Sequence, residues 1–358
     1  MKNSSNVTHA EAVTLAPSVE ARKRRALAWA ALGMLGFSLT LTATRAAVPE
    51  LGGIFVGFGR AVIAAMLALV AIPLCGLKVP KREHLAPLLR TALGIVVGFP
   101  ALTALALRSA PASHAQVFIG LSPLATALVA AARGGERLPL SFWRAAAAGA
   151  LCVLVFAWLH TGGDLSAADG LLVAAVALVG FGYAEGGRLA QQIGGMNVVC
   201  WALVLALPIT LPIACWSLWN APSLTALSWK AVLGFAYVSV VSMFFAFVAW
   251  YRGLGMGGVA RTSQIQLAMP LLGLLWAALF LGERLSLATV LAGAFVSLFA
   301  FLGAVRGRTA PGVGAARHEH TSPMSSQAAP MSSQAAPMSS QAAPMSSRAA
   351  SVSVRAAR

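Results

Sequence analysis

The sequence predicts an all-α membrane protein of ten transmembrane helices built as two inverted five-helix repeats, and three observations carry that expectation. The chain of 358 residues is 58% apolar and only 10% charged, whereas soluble domains carry about a quarter charged residues. Its apolar runs approach the roughly 20 residues that a helix needs to cross a ~30 Å hydrocarbon core. Finally, the stretch LRSAPASHAQVFIGLSPLATALVAAARGGERLPL, beginning at Leu107, returns 147 residues later as LGMGGVARTSQIQLAMPLLGLLWAALFLGERLSL. An ungapped match of that length marks a duplicated unit.

Taken in order, residues 1–25 read as a disordered cytosolic N-terminus ending in the cluster Arg22, Lys23, Arg24 and Arg25. Ten spans follow, at about 26–44, 53–74, 88–107, 113–133, 142–160, 168–187, 196–218, 230–250, 260–281 and 287–305. The first span is long enough to remain as an anchor, unlike the short apolar core of a cleaved signal peptide. Residues 26–160 form the first repeat and 168–305 the second. Because five spans is an odd number, the second copy enters the membrane from the opposite side, which inverts it. GFSLTLTATRAAVPELGG at 36–53 also resembles GFGYAEGGRLAQQIGG at 180–195, so spans one and six correspond.

Most basic residues fall on one side of this topology, among them Lys78, Arg82, Arg90, Arg133, Arg144, Arg188, Arg252 and Arg306, against Arg45, Arg60, Arg108, Lys230 and Arg284 on the other. The positive-inside rule then places both termini in the cytosol of a multi-pass inner (plasma) membrane protein. Residues 306–358 form a polar tail with PMSSQAA repeats at Pro323, Pro330 and Pro337. That composition buries too little apolar surface to offset its ordering entropy, so disorder is expected.

Composition also excludes function classes. The excess of 26 Lys+Arg over 10 Asp+Glu is spread between apolar runs and tails rather than over one face, which argues against nucleic acid. Cys75, Cys152, Cys200 and Cys215 lack metal spacing and read as small core residues. No phosphate loop, metal cluster or serine elbow is present, so neither an enzyme nor a cofactor is expected.

Several residues stand out as candidates. Pro123 and Pro270 each remove a backbone bond, to the carbonyls of Ile119 and Gln266; in lipid such groups must be satisfied by protein or a wet cavity. The pair reads either as packing kinks or as hinges beside a cavity. The two Gly-Glu-Arg-Leu corners, at 135–138 and 282–285, read as interface ends of spans. Polar groups found in one repeat only are the better candidates for substrate contact. Arg60 faces Ala202 in the repeat comparison, and an intramembrane arginine is expensive and commonly functional, although it can snorkel to an interface. Glu185 faces Leu41 and is the coupling candidate, with Arg188 at i+3 as the alternative, purely structural partner. Gln264 and Gln266 face Val117 and Ile119, while Gln116 and His114 face Ser263 and Arg261; the amides serve either as substrate contacts or as glue between helices. His114 is expected to be solvated at the outer end of its span. Tyr183 and Trp276, like Trp201 and Tyr237, lie deep enough to line a cavity or fill a core. Trp216, Trp219, Trp229, Trp250 and Tyr251 fit interface belts.

The apolar run, central proline and Leu-Gly-Glu-Arg ending of the second copy, the looser first copy ending ARGGERLP, and the arginine of FVGFGRAVIAA together resemble the drug/metabolite transporter superfamily, specifically its ten-span members made of two EamA domains. The first copy departs from the pattern, with Arg133-Gly134-Gly135 where Leu-Gly is usual. The resemblance implies a secondary transporter, often an exporter of amino acids, other metabolites or toxic compounds, with a central cavity between the halves. An uncoupled facilitator and a membrane-embedded enzyme are the competing classes. The expected partners are a small-molecule substrate and the bilayer, with a homodimer left open.

Overall fold

The computed structural model describes residues 19–134, 140–160, 166–220 and 227–306, and every regular element among them is a helix. The repeat tail, most of the N-terminal leader and the first Gly-Glu-Arg-Leu corner lie outside the described residues. Among the described residues ten apolar helices build the bundle: α1 Ala21–Leu51, α2 Gly53–Leu74, α3 Arg82–Ala106, α4 Ala112–Arg133, α5 Leu140–Leu159, α6 Ala167–Ile193, α7 Gly195–Trp219, α8 Trp229–Gly257, α9 Ile265–Leu281 and α10 Leu287–Leu302. Eight are long enough to span by length and composition, and α9 and α10 are shorter. Many of their large apolar side chains face outward, as a lipid-contacting surface requires.

Three helices outrun their expected ends: α1, α6 and α8 continue to Leu51, Ile193 and Gly257. Apolar runs mark only the lipid-crossing part, whereas these helices carry on through polar residues that pack against neighbours. At the other terminus, Arg22–Arg25 are helical rather than disordered, because no breaker separates these good helix formers from the span that follows.

Two one-residue turns sit at equivalent places in the repeats. Gly52 (φ 77) joins α1 to α2, and Gly194 (φ 85) joins α6 to α7. Both lie where only glycine is unstrained. The repeats also share an internal irregularity, since α3 widens into a π-helix at Ala92–Gly98 and α8 at Tyr237–Ala246. Wide turns of this kind expose backbone groups and recur at functional sites.

The prolines likewise act at matched breaks. The α4 helix is interrupted between Ala112–Ile119 and Ser122–Gly134, and α9 is entered through a 3₁₀ turn at Ser263–Ala268 before Met269–Leu281. Pro123 and Pro270 are buried and stand at the start of the second pieces, where a missing N–H costs little. Both carbonyls at issue are satisfied: Ser122 Oγ donates to Ile119 O at 2.7 Å, and the Met269 N–H donates to Gln266 O.

Packing follows a two-fold pattern. The α2 helix lies on α7, α5 on α10 and α4 on α9, while α1 against α8 is mirrored by α6 against α3, and α1 against α9 by α6 against α4. With five spans per repeat, the relating axis runs in the membrane plane, so the repeats are inverted. At the middle, Phe37, Tyr183, Phe247, Trp250 and Tyr251 form one aromatic cluster drawn from both repeats. Trp250 and Tyr251 are therefore core residues, each 0% exposed, and not part of an interface belt; the extension of α8 moves them inward. Trp216, Trp219 and Trp229 are exposed. Among the cysteines only Cys200 is fully buried, whereas Cys75 and Cys215 are exposed at the ends of their helices.

Candidate functional site

Beside the aromatic cluster lies a cavity bounded by α1, α2, α3, α4, α6, α8 and α9, so both repeats contribute walls. Its volume is about 20 Å³, room for about one water molecule. Small-molecule sites are on the order of 300–1,000 Å³, so at this size the chamber is closed to a substrate. Phe37, Phe99 and Phe247 supply apolar walls, and Thr40, Ser122 and Ser242 small polar ones. Thr40 and Ser242 satisfy each other at 2.8 Å across the two repeats.

Three of the candidate residues meet here: Arg60 of α2, Tyr183 of α6 and Gln266 at the start of α9. Arg60 is 1% exposed, and its Nε and Nη2 have no partner, nor has the Oε1 of Gln266. The guanidinium does not snorkel; it lies against the cavity. Isolated buried charge is costly, and no carboxylate lines this cavity. What the site presents is a guanidinium with two free donors and no counter-anion, beside the free amide oxygen of Gln266, walled by aromatic rings.

Other candidates sit elsewhere. Gln116 is buried on α4 and donates to the Met269 carbonyl of α9 at 3.0 Å, against the bare backbone of Gly273. It holds α4 to α9. Trp276 donates to Ser38 Oγ at 2.9 Å and so ties α9 to α1 rather than lining the cavity. Trp201 donates to the Lys78 carbonyl near the membrane edge. The side chain of Gln264 lies outside the described residues.

Glu185 is not paired with Arg188. Its Oε2 accepts from Arg90 Nε at 2.8 Å and its Oε1 from Arg133 Nε at 2.7 Å, which links α6 of one repeat to α3 and α4 of the other. Arg188, exposed at i+3, lies with these groups around a second cavity of about 280 Å³, floored by Pro87, Leu189 and Gln192. Leu189 and Gln192 are six and nine residues beyond Tyr183 on α6, or roughly 9 and 14 Å along the helix axis. The basic cavity is thus at one end of the bundle, and the closed chamber is near its middle.

The opposite end is tied by three contacts absent from the sequence reading. His114 is 3% exposed rather than solvated, with Nε2 2.6 Å from Asp169 Oδ1 and its ring between Phe118 and Phe156. Asp169 is the N3 member of a capping box with Ser166, a Ser-x-x-Asp spacing that marks a helix start in the sequence. Nothing local could have paired it with His114. Glu283, in the second Gly-Glu-Arg-Leu corner, accepts from the backbone N–H groups of Ala112 and Ser113 at 2.8 and 2.9 Å. It caps α4, whose own N-cap is Pro111. The carboxylate of Glu50 accepts from Ser228 N at 2.6 Å, joining α1 to α8.

Among the described residues no cluster of His, Cys, Asp and Glu could hold a metal ion. The model of a family described as "EamA-like transporter family" matches residues 24–160 and again 166–305. An uncharacterized transporter, YdeK of Bacillus subtilis (strain 168), is 44% identical over 259 residues, covering 72% of this chain and 90% of that protein. A solved structure described only as a crystal structure of a protein superposes with TM-score 0.58 at 20% identity, covering 79% of this chain and 97% of that one. At that identity the likeness speaks to the fold alone.

Proposed function

Because the chain belongs to the EamA-like transporter family, which makes it a membrane transporter, we propose that it is a secondary transporter exporting small metabolites, amino acids or drug-like compounds by alternating access between its inverted repeats. The observation that carries this reading is Arg60: a fully buried guanidinium with two unpartnered donors, in a closed chamber whose walls come from both repeats. Substrate supplies the missing acceptor. Tyr183 and Gln266 complete the polar contacts, and the matched breaks at Pro123 and Pro270 serve as hinges. On the positive-inside reading, the basic cavity faces the cytosol of an inner (plasma) membrane protein and the Glu283 end faces outward, with both termini cytosolic.

Contacts between the repeats at each end suit this mechanism. Glu185 with Arg90 and Arg133 shuts one side, and His114 with Asp169 shuts the other. Closing both leaves the chamber occluded; breaking one set at a time opens it to one side. A drive by the proton gradient would need a carboxylate that exchanges protons, and Glu185, bound by two guanidiniums, is poorly suited to that. The lack of any carboxylate in the central lining favours, as a second reading, an uncoupled facilitator.

The deciding measurement is the profile of exported metabolites from cells carrying the wild type, Arg60→Lys or Arg60→Ala at matched expression. Arg60→Ala is expected to cut export at least tenfold. Arg60→Lys is expected to fall in between, since it keeps the charge and loses the planar fork. Unchanged export in both variants would remove Arg60 from the site. Transport into vesicles with and without a proton gradient separates the coupled from the uncoupled form.

A further inference from the structure

Two features of the molecule point to the same kind of ligand. The central chamber offers Arg60 without an anion. The cavity at the basic end is lined by Arg90, Arg133 and Arg188 against the single carboxylate of Glu185, which leaves two positive charges in excess. That cavity, at about 280 Å³, already approaches the size of a small-molecule site. Its geometry is that of a competition. Glu185 engages Arg90 and Arg133 through Nε alone, and the two arginine side chains are 39% and 40% exposed, so an incoming anion can reach the same guanidiniums from solvent.

Building on the alternating-access reading above, we infer that the substrate is a small organic anion, loaded at the Arg90–Arg133–Arg188 cavity, where its negative group competes with Glu185 for the two guanidiniums and releases the contact that closes this end. The arginines come from α3 and α4 of the first repeat and the carboxylate from α6 of the second. An anion bound to the arginines thus weakens a bond between the repeats, while a cation or a neutral molecule does not. Charge-assisted guanidinium–carboxylate bonds are strong but readily exchanged where water reaches them. Once this end parts, the anion passes along α6 to Arg60.

The test uses the full-length chain with its four native cysteines replaced by alanine and one cysteine placed in the chamber, Ser122→Cys, with Ser242→Cys as a second position. Two thiol reagents serve as probes, the anionic sulfonatoethyl and the cationic trimethylammonioethyl methanethiosulfonate. Each is applied to inside-out vesicles in ~0.01 M salt, where screening reaches only beyond ~30 Å, and each rate is divided by that reagent's rate with free cysteine. One positive charge about 10 Å away then separates anion from cation roughly threefold, so two separate them nearly tenfold.

The expected anion-to-cation ratio is therefore at least about ten, because Arg60 in the chamber adds to the two charges at its entrance. Arg188→Gln, which touches no ion pair, should reduce it about threefold. Glu185→Gln should accelerate both reagents by loosening the closed end, the anionic one about threefold more than the cationic one because a negative charge is lost there. A ratio at or below one, a ratio unmoved by Arg188→Gln, or Glu185→Gln rates equal to wild type would each overturn the inference while leaving the transporter reading in place. Labelling only from the opposite side would overturn loading at this end. A chamber cysteine that reacts from neither side with either reagent would sink alternating access and the anion route together.

Discussion

Replacing Glu283 by alanine tests the architecture where a single side chain holds two repeats together. Its carboxylate accepts from the first two N–H groups of α4, at 2.8 and 2.9 Å, and these donors have no other cap because Pro111 precedes them. Hydrogen bonds to a charged group contribute on the order of 1.5–3 kcal/mol net, and partial exposure places each of these near or below the lower limit. The helix macrodipole adds about 0.3–1 kcal/mol for a negative charge at this terminus. Glu283→Ala should therefore cost about 2–3 kcal/mol. Glu283→Gln, which keeps one acceptor oxygen and loses the charge, should cost about half as much. At roughly 2 °C per kcal/mol for a chain of this size, thermal unfolding in detergent should shift by about 4–6 °C and 2–3 °C. Hydrogen exchange over 112–116 should rise in the same order. Arg284, the exposed neighbour, is the control, with a change within about 0.5 kcal/mol on replacement by alanine. A Glu283→Ala shift no larger than that of Arg284→Ala would refute the capping argument.

Three further outcomes are expected. Gly52→Ala and Gly194→Ala should each destabilise by about 1–3 kcal/mol from backbone strain alone, since an added Cβ at either position meets nothing within 4 Å; unaltered melting in both would show that the turns tolerate a side chain. Asp169→Ala should cost about 3–5 kcal/mol by stranding a buried partner, whereas the double change His114→Phe with Asp169→Leu should recover most of it; a double variant as unstable as the sum of the singles would refute the pairing. A reporter fused after Arg308 should behave as cytosolic and one inserted at 221–226 as external, and an external signal from the C-terminal fusion would contradict the orientation drawn from the charge asymmetry.

Much of this protein is legible in one dimension because a bilayer constrains a chain so tightly. Every backbone group in lipid must be satisfied within its own segment, so the ten apolar helices follow from composition, and the 147-residue offset with an odd span count yields the inversion. Pro123 and Pro270 mark helix breaks because proline has no N–H, and Arg60 stands out because charge in lipid is rare. Partners are a different matter, since they depend on which helices touch. Glu185 looks toward Arg188 in the sequence, but Arg188 points to solvent, and α3 and α4 bring Arg90 and Arg133 to the carboxylate. His114 is near a span end and reads as wet until α6 places Asp169 against it and Phe118 and Phe156 close over the ring. Gln116, Gln266 and Trp276 are equally polar and equally apolar in their surroundings along the chain. Only the packing of α4, α9 and α1 assigns Gln116 and Trp276 to helix contacts and leaves Gln266 beside Arg60 and Tyr183. Hydropathy is a local property and is read locally, whereas the satisfaction of a buried polar group is a pairwise property settled by which helices the two-fold arrangement brings into contact.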